Sequence, residues 1–303
     1  MSSRPDIDRR VHGNSRRAPD VVRIMSVELG RYGIWQHAGI LTPDLAREIE
    51  SLGFGAIWLG GSPSGDLAVA ESLLEATDRI AVATGIVNMW STPAQEVAPS
   101  YHRIEATYPG RFLLGVGVGH PEATSDYTRP YATVVEYLDA LDAAGVPVAG
   151  RALAALGPKV LKLSAERTAG AHPYLTPPEH TREARELLGD GVLLAPEHKV
   201  VLNSDPVAAR AIGRPAVQKP YLGLRNYVSN LKRLGWTDAD IADGGSDALI
   251  DALVAHGEPD AVAARLNEHL AAGADHVCAQ ILTPRGADLT PDLRRLAGAL
   301  GLS

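Results

Sequence analysis

GRFLLGVGVGH, residues 110–120, sets four glycines among five apolar residues and ends on a histidine. The segment RFLLGVGVG (111–119) reads as a buried strand, although each glycine removes packing surface and adds backbone entropy to be lost on folding. Glycines 115, 117 and 119 recur at period two, so they share one face of that strand. That face is either cleared for a flat ring to approach the backbone, or relieved of crowding against bulky neighbours such as Trp58 or Trp90. A dinucleotide fingerprint is incomplete, because no third glycine follows at GxGxxG spacing and Ala123 and Thr124 lie downstream.

Working outward, short apolar runs alternate with amphipathic helical segments. ELGRYGIW (28–35) reads as a strand, and Thr42-Pro43-Asp44 opens the helix LAREIESLG, with Gly53 as its stop. AIWLGG (56–61) and IAVATGIVNMW (80–90) are the next strands, with helices near 66–77 and 93–107. The glycine-rich strand comes fourth and precedes a helix near 130–144. RALAALG (151–157) runs into PKVLKLSAERTA, whose Pro158 suits a first helical turn. AHPYL (171–175) precedes the helix TREARELLG, and VLLAPEHKVVL (192–202) carries another strand. A mostly helical stretch from Pro206 to His256 follows, and PDAVAARLNEHLAAGADHVCAQIL closes the chain's pattern with a helix and a last strand.

Eight alternations imply parallel strands joined by helical crossovers, and their number fits an α/β fold of the (β/α)8 TIM-barrel type with a helical insertion before the last strand. In such barrels the chemistry sits at the C-terminal strand ends. The positions to watch are therefore His37, Gly60 to Ser62, Asn88, His120, Gly157, Tyr174 and Gln280.

Composition narrows the partners. With 45% hydrophobic and 21% charged residues, the chain of 303 residues is ordinary for a globular protein, and its net charge of −7 argues against nucleic acid. A lone Cys278 excludes an internal disulfide and fits a reducing cytoplasm; its apolar setting, HVCAQIL, makes it a core residue rather than a nucleophile. No apolar run has the roughly 18 residues of a membrane span. Residues 1–24 hold six arginines and three aspartates without apolar periodicity, and read as a disordered extension with Met25 as an alternative start. Residues 25–303 are then expected to form a single barrel domain.

At the strand ends His120 can shuttle a proton or polarise a carbonyl, and otherwise caps the turn into Pro121. His37 holds the equivalent place after the first strand, beside Trp35 and Gln36. Two histidines and aromatic surfaces suit an uncharged, planar ligand, and no metal motif is present. Carboxylates are scarce there, which argues against a glycosidase pair or a magnesium cage. ALGPK (155–159) is a glycine turn into a helix N-terminus, where free N–H groups, the helix dipole and Lys159 would receive a phosphate; a plain strand-to-helix turn is the alternative.

Three stretches together resemble the bacterial luciferase-like superfamily, specifically its actinobacterial coenzyme F420-dependent oxidoreductases. They are ATGIVNMWSTPAQEVAPSYHRIEATYPGRFLLGVGVGH, AALGPKVLKLSAERTAGAHPYL and GEPDAVAARLNEHLAAGADHVCAQIL, and the likeness runs from about Leu29 to Leu282. The resemblance implies a non-proline cis peptide at Gly85–Ile86 behind the deazaflavin ring, with Asn88 near the ring's polar edge and Gly117 and Gly119 against it. It implies a cofactor phosphate on Leu156, Gly157 and Lys159, though Pro158 offers no N–H. His120 falls where the family's sugar-phosphate dehydrogenases carry a glutamate proton donor. Their Asp-His pair is replaced here by Gly60, Gly61 and Ser62, and their substrate-phosphate lysine by the neighbourhood of Pro178. Those departures leave Trp35, Ser62, Trp90 and Tyr174 to shape a less charged substrate pocket, with His120 and His37 as the catalytic pair.

The resemblance therefore implies hydride transfer between the deazaflavin C5 and a small organic substrate, in a cytoplasmic enzyme that forms homodimers in many relatives. An FMN-dependent luciferase-like monooxygenase and a non-catalytic deazaflavin-binding protein are the alternatives. The stretch YLGLRNYVSNLKRLGW within 203–256 is expected over the barrel mouth, its aromatics either the insertion's own core or a wall for substrate.

Overall fold

The computed structural model of the protein describes residues 27–119 and 129–302. The proposed extension, residues 1–24, and His120 lie outside the described residues. Eleven parallel strands are present among them: β1 (Tyr32–His37), β2 (Ala56–Gly60), β3 (Ala81–Gly85), β4 (Val87–Asn88), β5 (Phe112–Gly117), β6 (Arg151–Leu153), β7 (Gly170–Ala171), β8 (Leu193–Leu194), β9 (Glu197–Val201), β10 (Val254–His256) and β11 (Val277–Ile281). Helices follow most of them, and many open on a first-turn proline (Pro43, Pro130, Pro158, Pro178, Pro206, Pro259), whose missing N–H costs nothing there. The helix Pro43–Ser51 starts as its sequence foretells, with Thr42 Oγ1 accepting from the Leu45 N–H at 3.2 Å.

The sheet closes on itself. β3 and β4 are one strand interrupted at Ile86, and β8 and β9 are one strand interrupted at Ala195-Pro196. The second of these bonds to the residues of β7 through Ala195 N–H to Ala171 O, and to β11 through Cys278 N–H to Pro196 O. Counting each interrupted strand once, eight strands form the barrel, and this is the (β/α)8 fold expected. β10 is additional. It pairs with β9 at Val254↔Lys199, on the edge away from β11.

The mostly helical stretch from Pro206 to His256 is present and ends in β10, so the insertion precedes that short strand as well as the last one. β10 follows the helix Asp247–Leu253 without any turn residue between them.

Parity along the strands sorts the core. Ile34, Ile57, Leu59, Val82, Phe112, Leu114, Val116 and Leu153 face the helices and form the main apolar layer with them. Trp35, Trp58, Ala56, Ala81, Ala83, Leu113, Ala152 and Cys278 fill the barrel interior. Large and small residues complement each other there: Trp58 stacks on His172 with ring centres 4.0 Å apart, and its Nε1–H donates to His276 Nε2 at 3.1 Å. Cys278 is fully buried within this layer, as its sequence setting suggests.

Candidate active site

The register of the third strand locates the site. Ala83 pairs with Leu113, yet Val87 pairs with Val116, so one extra residue is accommodated between them. The Gly85–Ile86 peptide within this bulge is cis, at the bond where the sequence resemblance put it. Thr84 turns its carbonyl oxygen into the space above Gly115, where any Cβ would overlap it, and its hydroxyl donates to Gly115 O at 2.7 Å. A Cβ on Gly117 would meet Ala154 at 2.9 Å and Ile86 at 3.2 Å. Gly115 and Gly117 therefore serve close packing of the bulge.

Above the bulge, at the C-terminal strand ends, lies a cavity of about 460 Å³. It brings together Trp35, His37, Ser62, Gly85, Ile86, Asn88, Gly119, Leu156, Gly157, Lys159 and Tyr174 from the sequence reading. Gly117 and Trp90 are not among its lining residues. The lining also includes residues not singled out individually in the sequence, among them His172, Tyr221, Asn226 and Tyr227. The last three come from the insertion, whose aromatics thus form a wall of the cavity.

The floor is built by Trp35. Its indole crosses the barrel over Gly60 and Gly85, and a Cβ on Gly60 would overlap its ring. Trp35 leans on His37 and Tyr174, with ring centres 5.2 and 5.0 Å away. His37 stands on the rim, and partial desolvation of its ring, helped by the charge of Lys199, holds its pKa below the usual value. It is therefore neutral at physiological pH and able to accept a proton.

One end of the cavity is suited to an anion. The helix Pro158–Arg167 begins at Gly157 with no side chain capping it, and a Cβ on Gly157 would meet nothing within 4 Å. Open backbone at a helix N-terminus, with Lys159 in the first turn, is a phosphate-binding arrangement. Asn88 spends its Oδ1 on the Trp90 N–H at 2.9 Å, which leaves its Nδ2, close against Gly119, for a ligand.

The other end is aromatic. Tyr174, Tyr221 and Tyr227 lie in series, with ring centres 5.4 and 4.9 Å apart. Tyr174 O–H donates to Gln280 Oε1 at 2.9 Å and accepts from Lys199 Nζ at 2.7 Å. Lys199 also donates to Glu197 at 3.1 Å, and both are fully buried. Burial pushes the Lys199 ammonium down and the Glu197 carboxyl up, while each opposes the other's shift. With its hydroxyl engaged in this network, Tyr174 offers the cavity a ring face rather than an acid.

Residues 41–147 match the family model described as luciferase-like monooxygenase, which bears out the luciferase-like resemblance. Among solved structures the chain is similar to an F420-dependent secondary alcohol dehydrogenase in complex with an F420-acetone adduct (13% identity, TM-score 0.70, covering 91% of this chain and 99% of that one). It is similar to the coenzyme F420-dependent tetrahydromethanopterin reductase from Methanopyrus kandleri (17%, TM-score 0.66, 90% and 99%). It is also similar to the FMN-bound oxygenating constituent of 3,6-diketocamphane monooxygenase from Pseudomonas putida (14%, TM-score 0.61, 90% and 96%). At these identities the likeness establishes the fold. No curated protein sequence matches the chain.

Proposed function

We propose that this chain is a coenzyme F420-dependent oxidoreductase, moving a hydride between the deazaflavin and a small organic substrate. The observation that carries the reading is the pairing, across one cavity, of the Gly85–Ile86 bulge with the uncapped helix N-terminus at Gly157. A flat ring fits against the first and a phosphate fits on the second. Leu156, Gly157 and Lys159 would hold the phosphate, and Gly85, Ile86, Asn88 and Gly119 would flank the ring. When bound, the deazaflavin supplies a carbon centre that accepts or gives a hydride.

The protein's own part is to orient, to exclude water and to manage a proton. Tyr174, Tyr221 and Tyr227 wall the aromatic end, and the insertion that carries the last two covers it. His37, neutral at the rim, accepts the proton released when a substrate is oxidised and returns it in reduction. His120 is the other proton carrier in this reading, and the first of the pair on its place after the glycine-rich strand. Tight F420 binding without any turnover across alcohols, ketones, enones and imines would leave a carrier role instead.

FMN in the same cavity is the second reading, favoured by the fold shared with the FMN-bound monooxygenase constituent. Titration of each cofactor against the chain's tryptophan fluorescence separates the two, because Trp35 lines the cavity. The proposal expects quenching by F420 at micromolar concentrations and a much weaker response to FMN. The reverse order of affinities overturns it.

A further inference from the structure

Two polar atoms of the cavity floor have no hydrogen-bond partner: Trp35 Nε1 and His172 Nε2. Both side chains are buried, at 3% and 1% exposure. His172 Nδ1 lies 2.7 Å from the carbonyl oxygen of Ala195, which fixes the proton on Nδ1 and leaves a lone pair on Nε2. Burial lowers this imidazole's pKa to about 4, so it stays in that neutral tautomer through physiological pH. Stacking on Trp58 fixes its ring plane. The floor thus offers one donor that can only donate and one acceptor that can only accept.

The two atoms converge on Gly85. The point where its Cβ would stand is 2.6 Å from Trp35 Nε1 and 3.1 Å from His172 Nε2. Gly85 therefore keeps open the space that both atoms border. A hydroxyl is the group that accepts from one neighbour and donates to the other through a single oxygen. A carboxylate lacks the donor, an ammonium lacks the acceptor, and an ether lacks the donor. The cavity that reaches this point is walled by the rings of Trp35, Tyr174, Tyr221 and Tyr227. Among the described lining residues Lys159 is the only Lys, Arg, Asp or Glu, and it stands at the phosphate end.

We propose that Trp35 Nε1 and His172 Nε2 form a hydroxyl-binding subsite, and that the substrate is an uncharged, flat, largely apolar alcohol or phenol. This deepens the oxidoreductase reading and rests on it for the word substrate; recognition of the hydroxyl does not depend on the cofactor. His172 acts as a hydrogen-bond acceptor that positions this hydroxyl as a recognition group; the hydride and the proton that His37 carries come from the substrate's reacting group, not from this hydroxyl.

The test is a matched pair of probes, 2-naphthol and 2-methoxynaphthalene, titrated calorimetrically into the full chain. The naphthol is expected to bind about tenfold tighter or more, since its ether leaves the His172 lone pair unmet. His172→Phe should reduce that ratio to near one while leaving affinity for the ether nearly unchanged, whereas Trp35→Phe should weaken both probes severalfold, because either oxygen accepts from Nε1. Gly85→Ala, which fills the space between the two atoms, should lower the ratio in the same way. Should these variants not fold, ¹⁵N histidine spectra of the wild-type chain decide: the His172 Nε2 resonance shifts with naphthol and not with the ether. Equal binding of the two probes by the wild type, a ratio that persists in folded His172→Phe and Gly85→Ala, or unchanged binding of both probes in folded Trp35→Phe, overturns the subsite. F420 affinity measured on the same samples keeps the two claims apart. Intact F420 binding with no hydroxyl preference removes the subsite alone, and a preserved preference without F420 binding removes the cofactor reading alone.

Discussion

Acidification should unfold this barrel well above the pH at which its carboxylates titrate. His172, His180, His198, His269 and His276 are all fully buried. Burial holds each pKa down: to about 4 for His172, His180 and His276, to about 3 for His198, and well below the usual value for His269. Several ring nitrogens already act as acceptors or are shared, as in His276, which donates to Gly30 O and accepts from Trp58, and in the His269–His198 contact at 3.0 Å. The folded pKa values lie below the unfolded value near 6.5, so the native state gains nothing above that pH and loses stability as pH falls from 6.5 toward 4. At pH 5 the unfolded chain binds nearly one proton at each site and the native chain almost none, which costs about 2 kcal/mol per histidine. The four with stated values sum to about 8 kcal/mol, comparable with the whole stability of a domain. Glu197, pushed up by burial, works in the opposite direction but is a single group. Urea unfolding followed by tryptophan fluorescence and circular dichroism at pH 7.5, 6.5, 5.5 and 5.0 measures the effect. A loss below about 2 kcal/mol by pH 5, what one histidine alone supplies, would refute the reasoning.

Other consequences can be checked on purified variants. Gly115→Ala drives a methyl into the Thr84 carbonyl and should cost about 3 kcal/mol or prevent folding, whereas Gly157→Ala enters open space at φ −89° and should change stability by less than about 1 kcal/mol; equal urea midpoints for the two would contradict the bulge account. Lys159→Met should weaken F420 binding roughly tenfold at low ionic strength, with the gap closing as salt is added; unchanged affinity at low salt would remove the phosphate from this helix. Asp142→Ala should destabilise by about 2–3 kcal/mol, because it strips the carboxylate from the fully buried Arg151 guanidinium and leaves it with the carbonyls of Val146 and Arg167. A wild-type unfolding midpoint in that variant would show that solvent replaces the pair.

The barrel was legible in the sequence because its signals are local. Thr42-Pro43, Gly157-Pro158 and the apolar runs at β1, β2, β3 and β5 each announce an element within a few residues. Where long-range pairing decides, the sequence is quieter. β10 has three residues, joins a helix directly, and exists because β9 offers it an edge. VLLAPEHKVVL reads as one strand, and Pro196 divides it into β8 and β9. The glycines of GVGVG were readable as clearance, but what occupies it is the neighbouring strand's bulge at Gly115, and Ala154 with Ile86 of the bulge at Gly117. Within the site, residues at strand ends were foreseeable by position. His172 was passed over for Tyr174 two residues on, although a histidine directly after a strand was the available signal. Tyr221 and Tyr227 were legible only as aromatics of an insertion expected over the mouth, core or wall, since only the tertiary fold turns them and Asn226 into the cavity.

The most direct test of the central claim is a crystal structure of the chain grown with F420. The account predicts deazaflavin density over the Gly85–Ile86 bulge, with phosphate on the N–H groups beside Gly157 and Lys159. Density elsewhere, or a cavity that excludes F420 and takes FMN under the same conditions, would contradict it.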